Sequence, residues 1–355
     1  MPHIAYYISS HGFGHAARQQ AIIKQLAAQG IQVHVRTNAP QKFFRTAASY
    51  HQQYYDIGMF QSDALTIDVA ASLQWYANFL AEQEPIIAQE VAFIHEHDIQ
   101  LVVSDMPPVA MDIAAAAAVP SVAVTNFTWD WVYSYYLDDF PQYQWMVEAI
   151  RESYLKATLA LQMPFAHEFD MFTQVEPIPL VINRPTQSTL ETRKQLQIPQ
   201  SFKLALLSMG GHAWGKSDIR ALKQMEGWIF LVMPGAWEQV KDSPNFRLIA
   251  TDYDDYHNLI AAADVVVGKA GGSTTAEVIG HRTPMIYTTL PNWREAALLD
   301  AALREYGVGI YVDAHAFQSG EWIRRLRGIL HRPHRWPPIA TNGAQVAVER
   351  LLHLL

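Results

Sequence analysis

The chain has 355 residues, a formal net charge of −8, 50% hydrophobic residues, 17% charged residues and no cysteine. The length suits two domains of about 100–200 residues, and the low charged fraction leaves enough apolar material for packed cores. The missing cysteines exclude disulfides, thiolate-bound metals and a cysteine nucleophile, and the acidic balance argues against nucleic acid as a partner.

No apolar run reaches the ~18–20 residues of a membrane span. The longest, Ile113 to Val124, is broken by Pro120 and Ser121. The Met-Pro-His start lacks the basic region of a signal peptide, so a cytoplasmic protein is expected, with peripheral membrane contact left open.

In chain order, Ile4–Ile8 predicts a buried strand, His11-Gly12-Phe13-Gly14-His15 a loop, and apolar residues at 16, 17, 22, 23, 26 and 27 a helix closed by Gly30. Ile31–Val35, Leu101–Val103 and Val122–Val124 predict strands, with a helix over Asp112–Val119. Glu176 to Pro185 reads as a linker. The pattern then restarts with strands at Leu204–Leu207, Trp228–Met233, Phe246–Ile249, Val265–Val267 and Met285–Tyr287. The expected class is α/β, with two doubly wound parallel sheets whose ligands bind beyond the carboxyl ends of the strands.

Two glycine loops stand at such ends. Gly12-Phe-Gly14-His-Ala-Ala17 fits G-x-G-x-x-G/A, a dinucleotide pattern. The acidic residue expected about 20 positions on is absent. Arg36 leaves an NADP reading open, and close strand–helix packing explains the small residues equally well. Gly268-Lys269-Ala-Gly271-Gly272-Ser273-Thr274-Thr275-Ala-Glu277 follows a strand and opens a helix, as a phosphate cradle does. Thr274 to Glu277 also fits a capping box, which competes with a ribose-binding role for Glu277.

Taken together, these motifs resemble the GT-B glycosyltransferases, enzymes of two Rossmann-like domains facing across a cleft. Gly271-Gly272-Ser273-Thr274-Thr275-x-Glu277, Gly280-x-x-x-Pro284 and Leu290-Pro291 are similar to the donor motif of the lipid-II-forming N-acetylglucosaminyltransferases. His11-Gly-Phe-Gly-His15, Val103-Ser104-Asp105, Asn126-Phe-x-Trp129-Asp130 and Gly268-Lys269 resemble the glycosyltransferase-like N-terminal region of plant L-arabinokinases. The Gly/Ser-rich phosphate motif of their kinase half has no counterpart here, so sugar-kinase activity is not implied.

The resemblance implies an acceptor-binding domain over 1–182, a donor-binding domain over 183–339, and a final helix over 340–355 that returns to the first. It implies that Gly14, Gly210, Gly211, His212, Gly235, Lys269, Gly271, Gly272, Ser273 and Thr274 surround the donor diphosphate. Glu277 would hold the ribose, and Arg294 and Glu295 the donor sugar. His15 would be the general base and Asp105 its orienting carboxylate. His11, Phe13, Asn126, Trp129 and Asp130 would lie on the acceptor side. No metal and no cofactor are expected beyond a nucleotide diphosphate sugar, UDP-linked, as donor substrate.

The aromatics from Phe127 to Trp145 serve as core or as sugar-stacking faces. The arginines at 324, 325, 327, 332 and 335 form a solvated face, and His95 to Asp98 the polar end of a helix. The implied activity is inverting transfer to a hydroxyl acceptor. Alternatives are a nucleotide-sugar 2-epimerase of the same fold, a non-catalytic nucleotide-sugar-binding protein and, more remotely, an NADP oxidoreductase.

Overall fold

A computed structural model describes the chain except residues 211–213, 215–217, 251–252, 254, 307–308 and 333–335. It divides into two units. Unit 1 comprises 1–60, 68–182 and 340–355, and unit 2 comprises 61–67 and 183–339.

Unit 1 contains β1 (His3–Ile8), α1 (Gly14–Ala28), β2 (Gln32–Arg36) and β3 (Ser49–His51). A short hairpin of β4 (Phe60–Asp63) and β5 (Thr66–Asp68) follows. Then come α2 (Val69–Glu82), α3 (Glu84–Glu96), β6 (Ile99–Asp105), α4 (Val109–Ala116), β7 (Ser121–Thr125), α5 (Trp129–Ser134), α6 (Gln144–Tyr154), β8 (Leu159–Gln162) and β9 (Val175–Pro177). The parallel sheet has the order β3-β2-β1-β6-β7-β8-β9. Ile4, Tyr6 and Ile8 enter one apolar core, while Ala5 and Tyr7 enter another on the opposite face. Burial on both faces is why these strands are continuously apolar.

Unit 2 contains α7 (Thr189–Gln195), β10 (Lys203–Ser208), β11 (Trp228–Val232), α8 (Pro234–Trp237), β12 (Phe246–Leu248), α9 (Tyr256–Ala262) and β13 (Val265–Lys269). It continues with α10 (Gly272–Gly280), β14 (Met285–Thr288), α11 (Ala296–Glu305), β15 (Gly309–Tyr311), α12 (Ala314–Gln318) and α13 (Leu326–Leu330). Its parallel sheet has the order β12-β11-β10-β13-β14-β15. The last helix, α14 (Gly343–Leu352), joins the unit 1 core through Ala344, Ala347, Val348 and Leu351.

Both sheets reverse direction once. In unit 1 the chain moves outward from β1 and returns at β6, and in unit 2 it moves outward from β10 and returns at β13. The crevice at such a reversal, beyond the strand ends, is where doubly wound sheets bind ligands.

The structure departs from the sequence reading in four places. The helix expected over 112–119 spans Val109–Ala116: Pro107 and Pro108 start it early, and Ala118, at φ 56°, ends it. Val175–Pro177 of the expected linker pairs with β8, a sheet edge where proline is tolerated. Residues 61–67 join unit 2 because Ala64 and Leu65 enter its core. Finally, α10 begins at Gly272 with Gly271 as its cap, so Thr274 lies inside the helix and no capping box with Glu277 forms.

Candidate functional site

The unit 1 crevice lies at the ends of β1 and β6, where Ile8 is registered against Asp105. The loop after β1 turns through Gly12, at φ 66°, and delivers His15 to the first turn of α1. His15 Nδ1 stands 3.1 Å from Asp105 Oδ1. Both residues are buried.

Asp105 has more partners than a two-residue pairing anticipates. Arg18, one turn further along α1, donates from Nε to Oδ2 at 2.7 Å and from Nη2 to Oδ1 at 2.5 Å. Gln19 Nε2 donates to Oδ2 at 2.6 Å and to the Val124 carbonyl at 3.1 Å, while its Oε1 accepts from Tyr6. Burial works to raise the Asp105 pKa, but the Arg18 guanidinium, with help from His15, holds it well below the usual carboxylate range. Asp105 is therefore an anion at any working pH. Arg18 also donates from Nη1 to Asn126 Oδ1 at 2.6 Å.

A second carboxylate, Asp56, adjoins this group. It accepts from Ser9 Oγ at 2.7 Å and from Trp129 Nε1 at 2.8 Å, and it senses the charges of His15 and Asp105. Burial pushes its pKa up to about 6 against those hydrogen bonds. Ser9 Oγ in turn accepts from the His11 backbone N–H at 3.2 Å, so Asp56 anchors the glycine loop.

His11 lies edge-on to Trp129, and the Met59 backbone N–H donates to its Nδ1 at 3.3 Å. Gly58 permits that approach, since a Cβ there would lie 2.6 Å from the His11 ring. Phe13 caps α1 beside Phe43 and Lys42, and Gly14 begins that helix.

The remaining acceptor-side candidates are built into the wall. Asn126 and Trp129 are buried and bonded to Arg18 and Asp56. Asp130 is buried 3.5 Å from Arg151, and burial raises its pKa. Phe127, Tyr133 and Tyr136 are core, whereas Tyr135 and Trp145 are exposed. Arg36, the residue that kept NADP open, is buried in an ion pair with Glu90, which also accepts from Tyr7 and Tyr55. It is not available to a ribose phosphate.

In unit 2, Gly268 sits where a Cβ would stand 1.6 Å from the Ser208 carbonyl oxygen, so β13 and β10 require glycine there. The next residue, Lys269, ends β13 with 9% exposure. Its Nζ has one hydrogen bond, to Gln61 Oε1 at 3.4 Å, and among the described residues no carboxylate is within ion-pair distance. Burial brings its pKa down to about 8, although Glu295 and Asp63 act to raise it. A buried ammonium with so little compensation is costly to the fold.

Two residues on, Gly271 stands at the N-cap of α10 and, having no side chain, supplies no side-chain cap. Nothing lies within 4 Å of where a Gly271 Cβ would stand, and its φ of −105° suits any residue. Ser273 and Thr274 are half-buried in the first turn. Gly210, at φ 65°, follows β10, and a Cβ there would be 3.9 Å from Lys269 Cε.

Glu277 is buried. Its Oε1 accepts from the Asn183 backbone N–H at 2.9 Å and Nδ2 at 3.3 Å, and its Oε2 lies 2.7 Å from His281 Nε2. Arg294 is half-buried, and Glu295 is buried and accepts from Trp293 Nε1 at 3.1 Å. Gly235 is exposed beyond β11, which β10 separates from β13. Gly211, His212 and Arg335 lie outside the described residues. Among the described residues, no group of three His, Asp or Glu side chains is placed to hold a metal, and no helix is long and apolar enough to cross a membrane.

The unit 1 partners were missed in the sequence because each depends on tertiary register. Arg18, Gln19 and Asp56 belong to none of the motifs named from the sequence. The only local hint was that Arg18 is one turn from His15.

Residues 227–335 match the glycosyltransferase family 28 C-terminal domain. The chain is 33% identical to L-arabinokinase of Arabidopsis thaliana over 98% of its own length and 34% of that protein's. Over 133 residues, 34% of this chain and 36% of the other, it is 32% identical to a UDP-N-acetylglucosamine--N-acetylmuramyl-(pentapeptide) pyrophosphoryl-undecaprenol N-acetylglucosamine transferase of Paenarthrobacter aurescens. The chain thus spans about a third of the length of these curated relatives. Among solved structures it is similar to the glycotransferase of kitacinnamycin, with a TM-score of 0.65, 15% identity and coverage of 100% and 99% of the two chains. The architecture is the GT-B fold.

Proposed function

We propose that the chain is a glycosyltransferase that moves a sugar from a nucleotide diphosphate donor to a hydroxyl acceptor. The observation that carries this reading is Lys269, a buried ammonium with one long hydrogen bond among the described residues, two residues before a helix whose N-cap is a glycine. A diphosphate supplies what both lack: negative charge and acceptor oxygens. Gly271 has no steric reason within the fold, and close approach of a ligand gives it one. The family 28 match covers this same region, and one relative is named for a UDP-sugar donor.

In this reading Lys269, the α10 N-terminus and the hydroxyls of Ser273 and Thr274 hold the diphosphate. Glu277, held by Asn183 and His281, keeps one lone pair of Oε2 for a ribose hydroxyl. Arg294 and Glu295 precede α11 on the same unit and serve the donor sugar. His15 is the base. The acceptor oxygen attacks the anomeric carbon while its proton passes to His15 Nε2. The bond from that carbon to the diphosphate oxygen breaks, and its electron pair leaves on the phosphate, where Lys269 and the helix start meet the new charge. A single displacement of this kind inverts the anomeric centre.

The test is a screen of nucleotide diphosphate sugars with a panel of hydroxylated metabolites, read by mass spectrometry. A mass gain of one glycosyl unit on an acceptor, lost in His15→Gln, is expected. Donor turnover that produces only a sugar epimer would replace transfer with epimerisation. Donor binding with no turnover on any acceptor would reduce the protein to a nucleotide-sugar binder.

A further inference from the structure

We infer that Arg18 is a positioning residue of the unit 1 site: it fixes Asp105 and, through the hydrogens it commits there, leaves His15 as the Nδ1–H tautomer with Nε2 as the proton acceptor. This rests on the reading of His15 as the base.

Arg18 Nη2 carries two hydrogens, and its neighbours include Asp105 Oδ1 at 2.5 Å, His15 Nδ1 at 3.0 Å and Thr125 Oγ1 at 3.3 Å. Asp105 takes one. If the second went to His15 Nδ1, that nitrogen would be an acceptor facing the Asp105 oxygen at 3.1 Å, lone pair against lone pair. His15 would then carry its hydrogen on Nε2 and could not take a proton there.

In the alternative, Nδ1–H donates to Asp105 Oδ1 and the second Nη2 hydrogen goes to Thr125. The Thr125 hydroxyl is prepared for this, because its own hydrogen reaches the Phe127 carbonyl at 3.0 Å. Asp105 then accepts two bonds on each oxygen: His15 and Arg18 on Oδ1, Arg18 and Gln19 on Oδ2. Every lone pair is used. The 3.0 Å between Arg18 Nη2 and His15 Nδ1 is the spacing of two donors meeting at one oxygen.

His11 supplies the contrast. Its Nδ1 accepts from the Met59 backbone, so a neutral His11 carries its hydrogen on Nε2 and is a donor there. The loop histidine and the helix histidine are set in opposite tautomers, and of the two only His15 offers a basic nitrogen at Nε2.

The guanidinium has a second effect. A carboxylate alone beside His15 favours the imidazolium, which is useless as a base. The Arg18 guanidinium, bonded to the same Asp105 oxygen, offsets that charge. The charged groups facing His15 are Asp105 on β6, Arg18 on α1, His11 in the loop with its ring 6.4 Å away, and Asp56, whose charge reaches it. Of these, Arg18 is the one fixed cation.

The test is long-range 1H–15N spectroscopy of 15N-histidine-labelled full-length protein, with His15 assigned by its loss in His15→Gln. Wild type should show the Nδ1–H tautomer at pH 7 without any substrate. In Arg18→Gln the His15 titration midpoint should rise by at least one pH unit. Arg18→Lys keeps the charge but loses the fork, and should leave His15 neutral at pH 7 while kcat falls at least tenfold at unchanged donor KM. An Nε2–H tautomer in wild type overturns the inference, as does a folded Arg18→Gln with an unmoved midpoint. If Arg18→Gln does not fold, the wild-type tautomer and the kcat–KM split of Arg18→Lys decide. The spectra need no turnover, so failure of the transferase reading and failure of this one are separate results.

Discussion

If Lys269 holds the donor diphosphate, donor affinity must depend on pH in a way set by that one side chain. With a pKa of about 8 in the free protein, Lys269 is about nine-tenths charged at pH 7 and about one-tenth charged at pH 9. A bound diphosphate favours the ammonium, so the complex stays protonated over this range. The affinity should then follow the charged fraction of the free protein and weaken about tenfold from pH 7 to pH 9. Terminal phosphates ionise near pH 6, so the ligand itself contributes little above pH 7.

Calorimetry in buffers of different ionisation enthalpy gives a second reading. Near pH 8, binding should take up about half a proton per site. The probe is whichever of UDP, ADP and GDP raises the melting temperature most. Lys269→Met removes the titrating group and a charge-assisted bond worth about 1.5–3 kcal/mol, which is roughly a 10- to 150-fold loss of affinity at pH 7. The same variant relieves an under-compensated buried charge, so its melting temperature should hold or rise. An affinity that is flat from pH 7 to pH 9, or a Lys269→Met protein that binds as tightly as wild type, would refute the assignment.

Gly271→Ala should fold with an unchanged melting temperature, because its Cβ enters open space, yet bind the diphosphate at least tenfold more weakly; equal binding in a titration would show that no ligand approaches there. His15→Gln should lose transfer by at least 100-fold while the nucleoside diphosphate still raises the melting temperature, and retained turnover would remove His15 as base. Glu90→Gln leaves Arg36 without its buried counter-charge and should cost about 3–5 kcal/mol in denaturant unfolding, without altering diphosphate affinity. NADP should produce no fluorescence change on titration, because Arg36 is already engaged, and saturable binding would reopen the oxidoreductase reading.

The parts of the site that were legible in the sequence are those written locally. An apolar run ending in glycines marks a strand end, and both candidate crevices were located this way. His15 and Asp105 come together because β1 and β6 are parallel neighbours with Ile8 opposite Asp105, a pairing that doubly wound topology favours. The competing role assigned to Glu277 failed for a local reason as well: the helix starts one residue after Gly271, which places Glu277 too deep in it to cap. What stayed hidden is what depends on partners far along the chain. Arg18 and Asp105 are 87 residues apart, and Asp56 and Trp129 are 73 apart. No spacing rule links them. The aromatic segment stayed open for another reason, since a sugar-stacking face and a packed core share one composition; Trp129 and Tyr133 belong to the core.

The two crevices use the same topological device with opposite electrostatics. At the β1–β6 reversal the carboxylate of Asp105 is matched by the fork of Arg18, and both of its oxygens are fully engaged. Such a site has little to offer a charged ligand, but it can move a proton because its tautomer is fixed in advance. At the β10–β13 reversal a cation is buried two residues before a glycine-capped helix, and among the described residues it has no carboxylate within ion-pair distance. Such a site is unstable without an anion and gains most by binding one. The net charge of −8 describes neither crevice. In the proposed reading the anion belongs to unit 2 and the proton to unit 1.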